Sequence, residues 1–95
     1  MIKHIVLFKL KDSSPESVNV TAAVLRNMDG KIPFLRSLEI GIDVIRSERS
    51  YDISLIAEVD SLDDLKAYQV HPAHQAVIQH INEVKEVSIA VDYEF

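Results

Sequence analysis

Residues 3–10 carry apolar side chains on both sides of an alternating pattern, and no other feature of the chain restricts its folding as strongly. Read as a strand, Lys3 to Leu10 sets His4, Val6, Phe8 and Leu10 on one side, continuing from Ile2. It sets Ile5 and Leu7 on the other, between Lys3 and Lys9. Successive strand side chains point to opposite faces. A strand that is apolar at its centre on both faces has to be covered twice. A chain of 95 residues is one small domain. Such a domain hides roughly two-thirds of the surface its unfolded form exposes, so it has few elements with which to cover both sides.

The remaining elements follow from periodicity and punctuation. Ser14-Pro15-Glu16 is a helix start, with Ser14 able to accept from an orphan backbone N–H and Pro15 suited to the first turn. Val18, Ala22, Leu25 and Met28 then recur at helical spacing, and Gly30 is the expected stop. Leu35 to Ile45 alternates, with Leu38, Ile40, Ile42 and Val44 on one side. After a polar turn, Arg46 to Ser50, the segment Tyr51 to Val59 alternates again, which predicts a hairpin. Ser61 and Asp64 have capping-box spacing at a second helix whose inner side carries Leu62, Leu65 and Tyr68. Pro72 interrupts it, because the residue before a proline is biased out of helical geometry. A third helix runs from about Pro72 to Glu83, with His74, Val77, Ile78 and Ile81 as its inner stripe and His80 in solvent. Val87 to Phe95 forms the last strand. Val87, Ile89, Val91, Tyr93 and Phe95 line one face, and Ser88, Ala90, Asp92 and Glu94 the other.

The order βαββαβ, with its second helical segment split, predicts an α+β ferredoxin-like sandwich: a four-stranded antiparallel sheet with helices on one face. The other face would then stay apolar and wet. Patches of that size are rare on monomers, so the pattern predicts a homodimer packed sheet on sheet about a two-fold axis. The plainer alternative is a satellite patch partly covered by the C-terminal Tyr93 and Phe95.

Composition removes several function classes. Fifteen acids against ten bases give a net charge of −5, the wrong sign for a nucleic-acid footprint. The longest apolar run, Ile5 to Phe8, falls far short of the ~20 residues of a membrane span. The sequence opens directly on a strand pattern, with no charged-then-apolar leader, and it has no cysteine. Both features suit a cytoplasmic protein without disulfides or thiolate metal sites. Gly-rich phosphate loops, nucleophile elbows and dinucleotide fingerprints are missing, and Gly41 inside a strand marks a bulge or a close backbone approach.

The candidate chemistry lies in histidines and one tyrosine. His74, on the apolar stripe of the third helix, is either a satisfied core residue or a base aimed into a pocket. Tyr68, six residues earlier, either donates its phenol to a carbonyl or closes the helix pair with its hydroxyl in water. If the first and last strands pair so that Val6 meets Ala90 and Ile5 meets Val91, His4 meets Asp92. The pair either orients an imidazole or is simply a cross-strand polar contact. His71 and His74 look like half of a metal site, but no further ligand pattern completes it. His71 more simply shapes the helix junction.

Four segments together carry a resemblance. Met1-Ile2-Lys3-His4-Ile5-Val6-Leu7-Phe8-Lys9, Ile32-Pro33-Phe34-Leu35-Arg36-Ser37-Leu38-Glu39-Ile40-Gly41, Ala67-Tyr68-Gln69-Val70-His71-Pro72-Ala73-His74-Gln75 and Val91-Asp92-Tyr93-Glu94-Phe95 resemble the stress-responsive α/β-barrel family, often called Dabb. The resemblance spans the whole chain and implies a ferredoxin-like unit that dimerises into an α+β barrel. It also extends to the site of a plant polyketide cyclase of the family. That implies His74 as the histidine base and Tyr68 as its tyrosine partner, with His4, His71 and Asp92 as neighbouring ligand-binding groups. The implied chemistry is proton abstraction beside a carbonyl, as in aldol cyclisation, isomerisation or lyase reactions, with no cofactor and no metal. The other expectation is a non-catalytic stress-responsive or ligand-binding protein that forms stable dimers or larger assemblies. Small monooxygenases on the same barrel are a third comparison, for which the chain offers no clear haem-ligand context.

Overall fold

The computed structural model describes residues 1–95. Its elements are β1 (Ile2–Leu10), α1 (Pro15–Arg26), β2 (Ser37–Ile42), β3 (Ile53–Val59), α2 (Leu62–Val70), α3 (Pro72–Val84) and β4 (Lys85–Glu94). The strands form one antiparallel sheet in the order β2-β3-β1-β4. The three helices pack on one side, giving the predicted α+β sandwich. No helix is long and apolar enough to cross a membrane.

Local signals set the helix starts. Ser14 accepts from the Ser17 N–H at 3.3 Å, and Ser61 accepts from the Asp64 N–H at 3.2 Å. Val18, Ala22, Leu25 and Met28 are all buried, against Ile53, Leu55, Ala57 and Val59 of β3 and Leu65, Tyr68, Val77 and Ile81 of the other helices. α1 ends at Arg26, short of Gly30, which instead takes a positive φ of 79° in the following turn. Leu62, expected inside, is 58% exposed at the first turn of α2. His80, expected in solvent, is half-buried, and its Nε2 is enclosed without a hydrogen-bond partner.

β2 is shorter than its alternation. Pairing with β3 ends at Ile42↔Ile53, because the Asp43 carboxylate accepts the Arg46 N–H at 2.7 Å and turns the chain. Val44 is left 85% exposed in the loop. Gly41 pairs in register with Ser54, and a Cβ there would sit 2.8 Å from the Ser54 hydroxyl, so the glycine serves a close approach.

Asp52 ties this end of the sheet together. Only 4% exposed, its carboxylate accepts from the Leu10 N–H at 2.8 Å, the Ser13 hydroxyl at 3.0 Å and the Arg46 guanidinium at 3.0 Å. Removing one partner of a buried charged network strands the rest. Asp52→Ala is therefore expected to cost about 2–4 kcal/mol of stability. An unfolding free energy lowered by less than about 1 kcal/mol, read from denaturant titration, would show that solvent replaces the carboxylate freely.

The sheet has two unlike faces. His4, Val6 and Phe8 of β1 point toward the helices. Ile5 and Leu7 point away, beside Ile56 of β3 and Val87, Ile89 and Val91 of β4. No element covers this second face, and Ile89 and Val91 are 47% and 56% exposed. Phe95 lies under Lys3, with the ammonium 4.6 Å from its ring centroid, and leaves the centre of the patch open.

Candidate functional site

The break between α2 and α3 builds the site. Pro72 has no N–H and cannot continue the α2 ladder. The last carbonyls of α2 lose their helical partners. Tyr68 C=O accepts from the His71 N–H at 3.2 Å. Gln69 C=O, which the Ala73 N–H would bond in an unbroken helix, receives side chains instead. The Gln75 amide donates to it at 2.7 Å, and His74 Nδ1 lies 3.0 Å away. The Ala73 N–H is taken by His71 Nδ1 at 3.1 Å, so His71 caps α3.

A carbonyl oxygen only accepts, so His74 Nδ1 must be the protonated nitrogen. In the neutral ring Nε2 is then the base. Burial holds the His74 pKa below its ordinary 6.5, against the opposing pull of the Gln69 carbonyl and with a further push from His4. At neutral pH the ring is uncharged and ready to accept a proton.

Tyr68 stands between two imidazoles. Its ring centroid is 4.5 Å from that of His74 and 6.0 Å from that of His4. It is 0% exposed, and its hydroxyl has no hydrogen-bond partner. Desolvation pushes its pKa up to about 12, so the phenol stays protonated and can donate a hydrogen bond. On the far side, His4 is 8% exposed and its Nδ1 makes a short hydrogen bond to the Asp92 carboxylate. The register His4↔Asp92 is flanked by Ile5↔Val91 and Val6↔Ala90, as the alternation predicts.

These groups border a cavity of about 240 Å³ between the helices and the β1–β4 half of the sheet. His4, Tyr68 and His74 line it together with apolar side chains from α1, α3 and β1. Asp92 reaches it only through His4. His71 does not line it: its ring meets Phe34 edge-on, at 6.2 Å between centroids, while its Nδ1 caps α3. Three polar lining residues escaped the sequence reading as site groups, Gln69, Lys85 and Ser88. The part of Gln69 that matters to His74 is a backbone carbonyl freed by a helix end, which no side-chain pattern displays.

Comparison with known proteins places the fold. The model of the stress responsive A/B barrel domain matches residues 2–95. An uncharacterised protein of Streptomyces coelicolor is 40% identical and aligned over all of both chains. A dimeric protein of unknown function with a ferredoxin-like fold, from Bacteroides fragilis, is 39% identical with a TM-score of 0.85, covering 99% of this chain and 95% of its own. A dimeric ferredoxin-like protein of unknown function from Thermobifida fusca is 30% identical with a TM-score of 0.87, covering 99% and 90%.

Proposed function

This chain belongs to the stress responsive A/B barrel domain family, and from that premise we propose that it works as a homodimer whose inner cavity binds a small carbonyl compound and moves a proton at the neighbouring carbon, without a cofactor. The observation that carries the reading is the orphaned hydroxyl of Tyr68. An unsatisfied buried hydroxyl costs on the order of 1–3 kcal/mol. A ligand carbonyl in the adjoining cavity would supply the acceptor that the chain does not.

The proposed step uses the neutral forms described above. His74 Nε2 takes the proton from the carbon beside the carbonyl. The C–H electron pair moves into the carbonyl, and the oxygen that becomes negative receives the Tyr68 O–H. The enolate carbon then attacks a second carbonyl, whose π electrons pass to its oxygen, and that oxygen takes the proton held by His74, forming a C–C bond as in aldol cyclisation; in isomerisation His74 instead returns the proton at another carbon. His4 and Asp92 form an oriented pair at the opposite wall, and His71 holds the helix junction that aims His74. Dimerisation through the open sheet face fits both that apolar surface and the dimeric relatives of known structure. A chain without cysteine suits the cytoplasm, where we place it.

The test is a carbonyl-compound library screened with wild type and His74→Ala. Loss of a general base typically lowers the rate by about 10²–10⁴-fold. The wild-type rate should fall to half its plateau only below pH 6.5, since burial depresses the His74 pKa. Equal turnover by the two proteins, or none by either, removes the catalytic reading.

A second reading has its own observation. His71 and His74 both bond backbone atoms across the Pro72 break, as a staple for the split helix requires. In a non-catalytic stress-responsive protein that would be their whole task. Light scattering well above dimer mass, with ligand response unchanged in His74→Ala, favours this reading.

A further inference from the structure

One lysine reaches the cavity through an irregularity in β4. Counted back along the alternation from Val91, Ile89 and Val87, Lys85 belongs on the open face of the sheet. The β1–β4 register runs in step from Ile2↔Glu94 to Lys9↔Val87 and then jumps, pairing Leu10 with Lys85 and leaving Glu86 over. A bulge of this kind bends the strand and re-aims a side chain. Lys85 thus pairs with Leu10 on the helix side, and it is among the residues that line the same cavity as Tyr68 and His74. It is half-buried. The ion pairs of the chain engage Lys3, His4, Arg36 and Arg46, and none engages Lys85.

The surroundings suit an anion near this residue. No acidic side chain lines the cavity, whose wall is otherwise apolar or neutral. A fixed positive charge there runs against the net charge of −5 on the whole chain. A lysine ammonium is a compact charge with three rotatable donors, suited to a single carboxylate or phosphate oxygen. A volume of about 240 Å³ holds roughly eight water-sized groups, which limits the ligand to a small molecule.

We infer that the cavity selects a small oxo acid, its carboxylate held by Lys85 and its carbonyl oxygen set at the Tyr68 hydroxyl. The inference rests on the carbonyl-binding reading given above and narrows it from any small carbonyl compound to an anionic one. Lys85 is then the specificity-determining residue. By fixing one end of the ligand it decides which carbon lies beside His74.

Acetoacetate and acetylacetone provide the test, because they are nearly isosteric and only the first is an anion at neutral pH. Each is titrated into wild type, Lys85→Met and Lys85→Arg while the histidine and tyrosine ring resonances are followed by NMR. Wild type should prefer acetoacetate by about tenfold, and added salt should shrink the preference. Lys85→Met should bind both equally, with its acetylacetone affinity unchanged as proof of an intact cavity. Lys85→Arg should keep most of the preference. A preference that survives in Lys85→Met, or equal binding of both by wild type, overturns the anchor and leaves the carbonyl-binding reading standing. Loss of both ligands in both variants assigns Lys85 a structural role and also overturns the anchor. Ring resonances of Tyr68 and His74 in wild type that respond to neither compound overturn the carbonyl-binding reading itself.

Discussion

Tyr68→Phe is expected to leave the protein as stable as wild type or more so, by about 1–2 kcal/mol, and to lower turnover about 10²–10³-fold. Both halves follow from one atom. Phenylalanine keeps the ring that packs between His4 and His74 and removes a hydroxyl that is fully buried and unpartnered. Deleting a satisfied buried hydroxyl normally destabilises; deleting an orphaned one relieves a desolvation cost. In the proposed step the same hydroxyl donates to the oxygen that becomes negative, where loss of a donor is most damaging.

Alkaline unfolding gives an independent readout. The folded Tyr68 pKa, at about 12, lies above the ordinary 10.0. A raised pKa adds stability that is complete below the unfolded value and is lost as pH climbs through the folded one. Wild type should therefore weaken relative to Tyr68→Phe by about 1 kcal/mol by roughly pH 11. A destabilised variant with full turnover would mean that the hydroxyl has a partner inside the fold, and the site argument would collapse.

Ile89→Lys should convert the proposed dimer to monomers. Ile89 pairs with Leu7 near the middle of the uncovered sheet face and is 47% exposed in the single chain. A two-fold interface buries the same patch from both copies, so each substitution is felt twice. Burying an unpaired ammonium costs several kcal/mol, which weakens association by about a thousandfold or more. Core residues on the helix side are untouched, so each monomer should keep its circular dichroism spectrum. Val20→Lys, on a residue 53% exposed on α1, is the control and should leave the mass unchanged. Sedimentation showing single chains for wild type, or dimers for Ile89→Lys, would rule out association through this face.

Most of the fold can be read from the sequence because its signals are local and repeated. The caps at Ser14 and Ser61, the break at Pro72 and the His4↔Asp92 register all stand where spacing puts them. Alternation fails where a single residue interrupts it. Val44 continues an alternation that a single Asp43 side chain cuts short, and alternation alone does not reveal where pairing stops. Lys85 has the parity of Val87, and one surplus residue, Glu86, reverses its face. Likewise Tyr68 and His74 could be brought together from their positions on either side of Pro72. The backbone acceptor that fixes the His74 tautomer appears only when the chain is folded.

β1 carries both tasks of the molecule on alternate residues: Ile5 and Leu7 look outward to where a second copy would seat, while His4 and Val6 look inward to the cavity. A slip of one position would exchange the two sets completely. Pressure from a second copy on the outward set would also clamp the ribbon on which His4 is mounted, so that quaternary assembly and alignment of the imidazole would be coupled.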